Sequence, residues 1–213
     1  MKTLLLTLSF FFMLLSGVSA QVVNIENRRI PSDTTGIFGS LGLSINLINN
    51  QKQVLSLGNN AHVQLKTKKD LYLVLQSLSW LRADNQDLVK RGFWHVRYNR
   101  KTSPILRLEA FGQIQFNSIE KVENRILAGA GPRFKLSKNE KYKAYLGTLI
   151  MHEWERLTRP AEQASEQQWD HQHYRFSSYI SISIYPTKTF SLTSTTYFQP
   201  RLEYISDYPR FQL

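Results

Sequence analysis

Residues 106–117 read LRLEAFGQIQFN, and their side chains alternate with a period of two residues. One set of alternate positions is apolar or small: Leu106, Leu108, Ala110, Gly112, Ile114 and Phe116. Apart from an aromatic Phe111, the other set is polar: Arg107, Glu109, Gln113, Gln115 and Asn117. Because successive side chains of a strand point to opposite faces of a sheet, this stretch predicts a β-strand with one apolar and one polar face.

The same alternation recurs from Gly36 onward, and no helical period competes with it. Val74 and Leu78 break the pattern in one run, so the facing of that strand is left open. We predict nine strands of about 10–13 residues, which exceeds the usual strand of soluble domains and matches the length that crosses a bilayer. They lie at 36–47, 55–66, 71–81, around 94–99, 106–117, 125–136, 142–154, 174–185 and 190–198.

The predicted connections alternate between short and long from the second one onward. Their lengths are about four residues at 67–70, ten at 82–91, six at 99–104, nine at 117–125, five at 137–141, seventeen at 156–172 and four at 186–189. Outer-membrane barrels have short turns at one end and longer loops at the other. Aromatic side chains near the strand ends suggest girdles at two membrane interfaces: Trp94 and Trp154 at the long-loop end, and Tyr98, Phe134, Tyr142, Tyr185 and Phe190 at the short-turn end.

The N-terminus has the pattern of a secretory signal peptide. Lys2 precedes an apolar run of about a dozen residues, and a Val-Ser-Ala sequence ends at Ala20. We therefore expect residues 1–20 to be cleaved, residues 21–35 to form a lead-in, and residues 36–213 to form the barrel domain. No later run of eighteen apolar residues is present, so a helical membrane protein is excluded.

The composition restricts both the chemistry and the partners. The 213 residues carry a net charge of +11 and no cysteine, which excludes disulfides, cysteine-ligated metals and thiol nucleophiles. A basic chain suits an anionic partner, either nucleic acid or lipid. Because the signal peptide argues for export, we predict outer-membrane lipid and lipopolysaccharide as partners, with the barrel assembly machinery, and no nucleic acid; the oligomeric state is left open.

Three stretches, at 93–99, 106–117 and 127–136, resemble the salt-induced outer-membrane protein family, whose domain has no assigned function. The resemblance extends over residues 93–154. It implies an outer-membrane β-barrel in Gram-negative bacteria and brings no catalytic residues. The chain departs from such barrels at 208–213, a loop-like stretch with a proline and no terminal aromatic residue. Since bacterial single-chain barrels have even strand numbers, we expect a truncated chain that would hold about twelve strands when complete.

The polar faces of the predicted strands carry charged side chains that we expect to face the barrel lumen. We interpret them as a paired structural network rather than a ring that selects ions, because charges at membrane depth are paired when present. The predicted members are His62, His95, Arg97, Arg107, Glu109, Arg125, Arg133, Glu153 and, on the same face, Glu155.

Residues near the longest predicted loop offer two further kinds of chemistry. A lipid hydrolase would need a nucleophile and a base, and the candidates are His152, His171 and His173 with Ser165, Ser177 and Ser178. Their spacing is not diagnostic, so we predict no catalytic residues. The two histidines of His171-x-His173 share a strand face, with Asp170 or Glu166 nearby, but a third metal ligand is not evident, so we predict no metal and no cofactor.

The sequence therefore predicts an all-β, antiparallel, up-and-down transmembrane barrel located in the outer membrane. Its role is structural, linked to envelope stress, or that of a narrow channel, and it is not an enzyme. Two alternatives stay open: a lipid hydrolase active at the barrel rim, and a soluble periplasmic β-barrel or sandwich that binds a small ligand. Alternation by itself does not say which face is inside.

Overall fold

A computed structural model of the chain describes residues 25–28, 34–50, 53–84, 86–137, 139, 141–158, 171–187 and 190–203, and the backbone of 210–212. A short 3₁₀ helix at Glu26–Arg28 precedes the strands. The strands are β1 (Gly36–Asn49), β2 (Gln53–Lys66), β3 (Asp70–Ala83), β4 (Gln86–Lys101), β5 (Leu106–Asn117), β6 (Val122–Lys135), β7 (Tyr142–Leu157), β8 (His171–Ile184), β9 (Leu192–Gln199) and β10 (Arg210–Gln212).

All ten strands form one antiparallel sheet in which each strand pairs with the next along the chain. The predicted all-β antiparallel fold is confirmed, and each of the nine predicted strands is present. The prediction that 208–213 is loop-like is wrong for 210–212, which pairs with β9 and places Phe211 opposite Phe198. Among the described residues β1 pairs only with β2 and β10 only with β9, so hydrogen bonds do not close the sheet.

The strands are longer than predicted at one end, and the predicted alternation of connection lengths is wrong there. Between β3 and β4 only two residues remain, and between β5 and β6 only four. Asp84 and Lys121 adopt positive φ angles of 46° and 55° in these turns. Backbone pairing does not require apolar side chains, so the ladder continues beyond the apolar pattern that marks a strand in the sequence. At the β3–β4 hairpin, Trp80 Nε1 donates a hydrogen bond of 2.7 Å to Asp87 Oδ1.

The sheet is strongly curled. Tyr179 on β8 donates a 2.6 Å hydrogen bond to Glu109 Oε2 on β5. In a flat sheet, three strand spacings would separate the two backbones by about 14 Å, and both side chains would stand perpendicular to the sheet. The contact therefore requires the intervening strands to bend around one face, which we call the enclosed face; the opposite face is called the outer face.

The enclosed face is polar and the outer face is apolar. Arg175, Glu153 and His95 on the enclosed face are each 1% exposed. On the outer face, by contrast, Ile150 is 58% exposed and Val96 is 53% exposed. Soluble barrels and sandwiches have the reverse arrangement, because they bury the apolar face of each strand. The curl thus shows that the polar face of the strands is the enclosed one, which alternation alone does not determine.

Aromatic side chains lie along two levels of the outer face. Through the register of β4 to β7, Trp94, Ile114, Ile126 and Trp154 form one cross-strand row. Tyr72 and Tyr98 contact each other nearer the β4–β5 turn, with ring centroids 5.0 Å apart. Trp94 lies in the middle of β4 rather than near its end, because that strand begins eight residues earlier, at Gln86.

A glycine on the enclosed face makes room for the tyrosine that bridges the curl. Gly147 on β7 lies directly opposite Tyr179, and a Cβ atom at this position would lie 2.1 Å from Tyr179 Cε1.

No described helix has the length and apolar character needed to span a membrane.

We predict that Gly147→Ala destabilises the fold by about 1–3 kcal/mol, because the added methyl group forces the Tyr179 ring out of its site. Urea unfolding of the purified protein in detergent measures this as a lower midpoint. Gly112→Ala is the matched control, since a Cβ there meets Val96 Cγ2 at an ordinary 3.5 Å. Equal midpoints for the two variants would contradict the role assigned to Gly147.

Candidate functional site

Residues 25–28, which are the described start of the N-terminal lead-in, contact the enclosed face. Ile25 is buried in one apolar cluster with Leu73, Leu75 and Phe93 from β3 and β4. The 3₁₀ helix that follows also contacts β9. The segment therefore lies between strands on both sides of the curled sheet. Its position explains why β3 is apolar on both faces, since Leu73 and Leu75 pack against Ile25 while Val74 lies on the outer face.

Glu26 lies at the centre of a buried group that we call the Glu26 cluster, which also contains Arg97, Glu109, Arg133 and Tyr179. Arg97 Nη1 donates to Glu26 Oε1 at 2.9 Å, and Arg133 Nη1 donates to Glu26 Oε2 at 2.8 Å. Each oxygen of the Glu26 carboxylate thus receives one guanidinium. Arg97 on β4 lies 71 residues from Glu26 in the chain, and Arg133 on β6 lies 107 residues from it.

The remaining members of the Glu26 cluster belong to the sheet itself. Glu109 Oε1 lies 3.2 Å from Arg133 Nη1, and Glu109 Oε2 lies 3.6 Å from Arg97 Nη1. Arg133 also donates to the Tyr179 hydroxyl at 3.1 Å. The four charged side chains are at most 4% exposed. Two guanidiniums face two carboxylates, so the cluster is neutral as a unit.

Aromatic rings hold the arginines of this cluster. The guanidinium of Arg133 lies 4.0 Å from the centroid of the Tyr145 ring, and that of Arg97 lies 5.4 Å from the Phe111 ring. Arg107, which is half-buried, lies 5.6 Å from the same Tyr145 ring. Cation–π contacts of this kind favour a desolvated guanidinium.

A second buried group, the Glu153 cluster, consists of Arg125, Glu153, Glu155 and Arg175 on β6, β7 and β8. Arg175 Nε donates to Glu153 Oε2 at 2.5 Å, and Arg125 Nε lies 3.4 Å from Glu153 Oε1. Arg125 also forms an ion pair with Glu155. Arg175 Nη1 additionally donates to the backbone oxygen of Gln199 on β9. This cluster is also neutral, with two residues of each charge.

The nine residues predicted to face the lumen are divided by the structure into groups. Arg97, Glu109 and Arg133 belong to the Glu26 cluster, and Arg107 lies beside it. Arg125, Glu153 and Glu155 belong to the Glu153 cluster. The two histidines lie outside both: His95 Nδ1 is 2.9 Å from Gln113 Oε1, and His62 lies on β2 opposite Leu75.

Three members of the two clusters, Arg175, Tyr179 and Glu26, were absent from the predicted set. Arg175 and Tyr179 lie on a strand face whose alternation marks polar positions, so that signal was available. Glu26 lies outside any strand, and nothing in the sequence around it has a period. Its role depends on the tertiary arrangement alone.

The described residues among the hydrolase candidates are not assembled into a site. His152 on β7 packs its ring against the rings of Trp154 and Tyr174. Ser177 lies on the enclosed face, where its hydroxyl accepts a 2.8 Å hydrogen bond from Gln199. His173 Nδ1 is 3.1 Å from Glu203 Oε2. Ser165, Glu166 and Asp170 lie outside the described residues. Within the described part of the chain, no group of three or more acidic or histidine side chains is placed to hold a metal ion.

Comparison with known proteins identifies one family. A family model described as "Protein of unknown function, DUF481" matches residues 39–209, a range that runs from β1 to beyond β9. No curated protein and no solved structure matches the chain. The resemblance to salt-induced outer-membrane proteins stays a prediction.

We predict that Glu153→Gln lowers the free energy of unfolding by about 3–5 kcal/mol, because it leaves the two buried guanidiniums of Arg125 and Arg175 with too little negative charge. The measurement is again the urea midpoint in detergent. Glu123→Gln serves as the control, since this half-exposed side chain lies 4.0 Å from Arg156 and such a pair contributes at most about 1 kcal/mol. A Glu153 variant as stable as the control would show that the cluster is not needed for the fold.

Proposed function

The chain belongs to the family described as protein of unknown function, DUF481, and from this premise we propose that it is an outer-membrane β-barrel whose interior is filled by paired charges and by its own N-terminal segment. The observation that carries the proposal is the orientation of the curled sheet, with charged side chains enclosed and apolar side chains exposed. In this proposal the protein has a structural role in the envelope, under stress conditions such as high salt, and does not form a wide pore.

The exposed apolar surface supports a lipid environment. Large apolar side chains on the outer face of nearly every strand are 38–78% exposed. In water, each of these side chains would lose the stabilisation of about 25 cal/mol per Å² that burial of apolar surface brings. Large contiguous apolar patches on a protein surface mark interaction with membranes or other proteins. In a bilayer the same surface is solvated by acyl chains at no such cost.

The dimensions of the outer face fit a bilayer. On β7, Trp154 lies twelve positions beyond Tyr142. That separation is about 40 Å along the strand, and about 30 Å along a barrel axis at the usual tilt of 35–45°. The hydrocarbon core of a bilayer is also about 30 Å thick, so tyrosine and tryptophan would lie at its two interfaces.

Lipid also imposes a requirement on the sheet edges. A strand edge exposed to acyl chains leaves its N–H and C=O groups unpaired, at several kcal/mol for each group. We therefore propose that in the membrane the sheet closes into an antiparallel barrel, so that the free edge of β1 is paired.

The proposed location follows from the N-terminal signal pattern together with this surface. Residues 1–20 lie outside the described residues. Basic side chains are concentrated at the connections that join β2 to β3, β4 to β5 and β6 to β7, where lipid phosphates would neutralise them: Lys66, Lys68, Lys69, Arg100, Lys101, Lys135 and Lys141. We propose outer-membrane lipid and lipopolysaccharide as partners and the barrel assembly machinery as the insertion route.

The two alternatives receive less support. For a hydrolase, a serine and a histidine would have to meet. Among the described candidates, His152 instead packs against Trp154 and Tyr174, and His173 lies beside Glu203. For a soluble ligand-binding protein, the apolar face of the sheet would have to be enclosed. In this structure the polar face is enclosed instead.

We expect the protein to fractionate with outer membranes, to be extracted only with detergent, and to migrate faster on a gel when it is not boiled, because a closed barrel resists unfolding by detergent. Fractionation of cells expressing the full chain, followed by gel analysis with and without heating, measures this. Release by osmotic shock as a soluble monomer would refute the membrane proposal.

We also expect no steady ionic conductance when the purified protein is inserted into planar bilayers, because both charge clusters and Ile25 occupy the enclosed face. Detergent-only additions provide the baseline. A stable conductance in every insertion event would contradict a filled interior and favour the narrow channel.

A further inference from the structure

The Glu26 cluster joins two parts of the chain that are not equivalent. Arg97, Glu109, Arg133 and Tyr179 belong to the wall of the curled sheet, where strand pairing sets their positions. Glu26 belongs to a short segment that is held on this face by side-chain contacts. The wall by itself places two guanidiniums against one carboxylate. A buried positive charge without compensation is strongly unfavourable, so this wall requires an anion.

The two arginines of the wall also have N–H groups that donate no hydrogen bond among the residues that the structure describes. The Nε atoms of Arg97 and Arg133 are both buried and make no hydrogen bond to any other described residue. Both arginines direct an Nη1 atom at the Glu26 carboxylate, one to each oxygen. Two converging guanidiniums with further N–H groups available match the planar, two-oxygen shape of a carboxylate.

An apolar strip begins beside this anion position. Leu73 lies directly opposite Arg97 in the register of β3 and β4, and Leu75 lies opposite His95. Phe93 lies four residues along β4 from Arg97, a distance of about 13 Å along the strand. Ile25 packs on this strip while the next residue, Glu26, holds the arginines. The segment thus presents an apolar group and a carboxylate in the arrangement of a fatty acid.

We propose that the enclosed face contains a binding site for an amphipathic monocarboxylate, such as a medium-chain fatty acid, and that Ile25 and Glu26 occupy this site as a tethered substitute. The carboxylate binds Arg97 and Arg133, and the alkyl chain lies along Leu73, Leu75 and Phe93. This inference extends the proposed function, since it gives the filled interior a ligand that exchanges with the N-terminal segment.

The test compares octanoate binding to the full-length protein and to the variant Glu26→Ala, both purified in a non-ionic detergent, by isothermal titration calorimetry. Removing the competing carboxylate raises the fraction of protein with a vacant site, so the variant should bind octanoate about tenfold more tightly or better. Glu123→Gln is the matched control, because it removes an exposed carboxylate elsewhere, and it should bind like the unmodified chain.

Two other ligands test the contributions of the carboxylate and of the alkyl chain separately. Octanol has the same alkyl chain without the carboxylate, and acetate has the carboxylate without the chain; both should bind Glu26→Ala much more weakly than octanoate. The double variant Glu26→Ala, Arg133→Gln should lose the gain. If Glu26→Ala does not fold, Glu26→Gln retains the shape of the side chain without its charge and provides the same comparison.

The proposal is overturned if neither Glu26 variant binds octanoate more tightly than the unmodified chain, or if octanol binds them equally well. These outcomes are independent of the membrane proposal. The membrane proposal is decided by fractionation and gel migration, whereas a soluble protein with this enclosed face would still bind octanoate.

Discussion

Buried charges on the enclosed face have to be paired, and this requirement connects most of the structure. Arg97, Glu109 and Arg133 come from three consecutive strands, and Tyr179 reaches them from β8 only because the sheet is curled. Any loosening of the curl would separate these groups and leave charges without partners in a region that water does not reach. The curl and the ion pairs therefore support each other, and the small residue Gly147 is needed so that the bridging tyrosine can lie flat against β7.

The N-terminal segment completes this arrangement. Glu26 balances the charge of the two arginines, while Ile25 covers the apolar part of β3 and β4. The Glu153 cluster, by contrast, is neutral without any contribution from outside the sheet. The two clusters thus differ in kind: the Glu153 cluster is complete within the strands, and the Glu26 cluster depends on a carboxylate from outside them. Because of this difference, we assign the Glu153 cluster to stability and propose ligand exchange for the Glu26 cluster.

Much of the fold could be predicted because a strand has a strict period of two. Every polar position of 106–117 that was predicted to share a face with Glu109 does so, and the nine predicted strands are all present. The errors occurred where the period carried no information. The ends of β3 and β4 extend through polar residues, and 210–212 pairs although it follows a proline. Backbone hydrogen bonds, which do not depend on side-chain type, decide such boundaries.

The amino-acid sequence by itself determined that the chain forms an antiparallel sheet and which residues of each strand share a face. Only the tertiary structure decided which face is enclosed, which charges meet, and that Glu26 joins them. The physical reason is that alternation is a local property of one strand, whereas the sense of the curl and the contact between β5 and β8 depend on all the strands between them. A single carboxylate in an aperiodic segment leaves no trace in such a pattern, although Glu26 pairs with two buried arginines of the sheet.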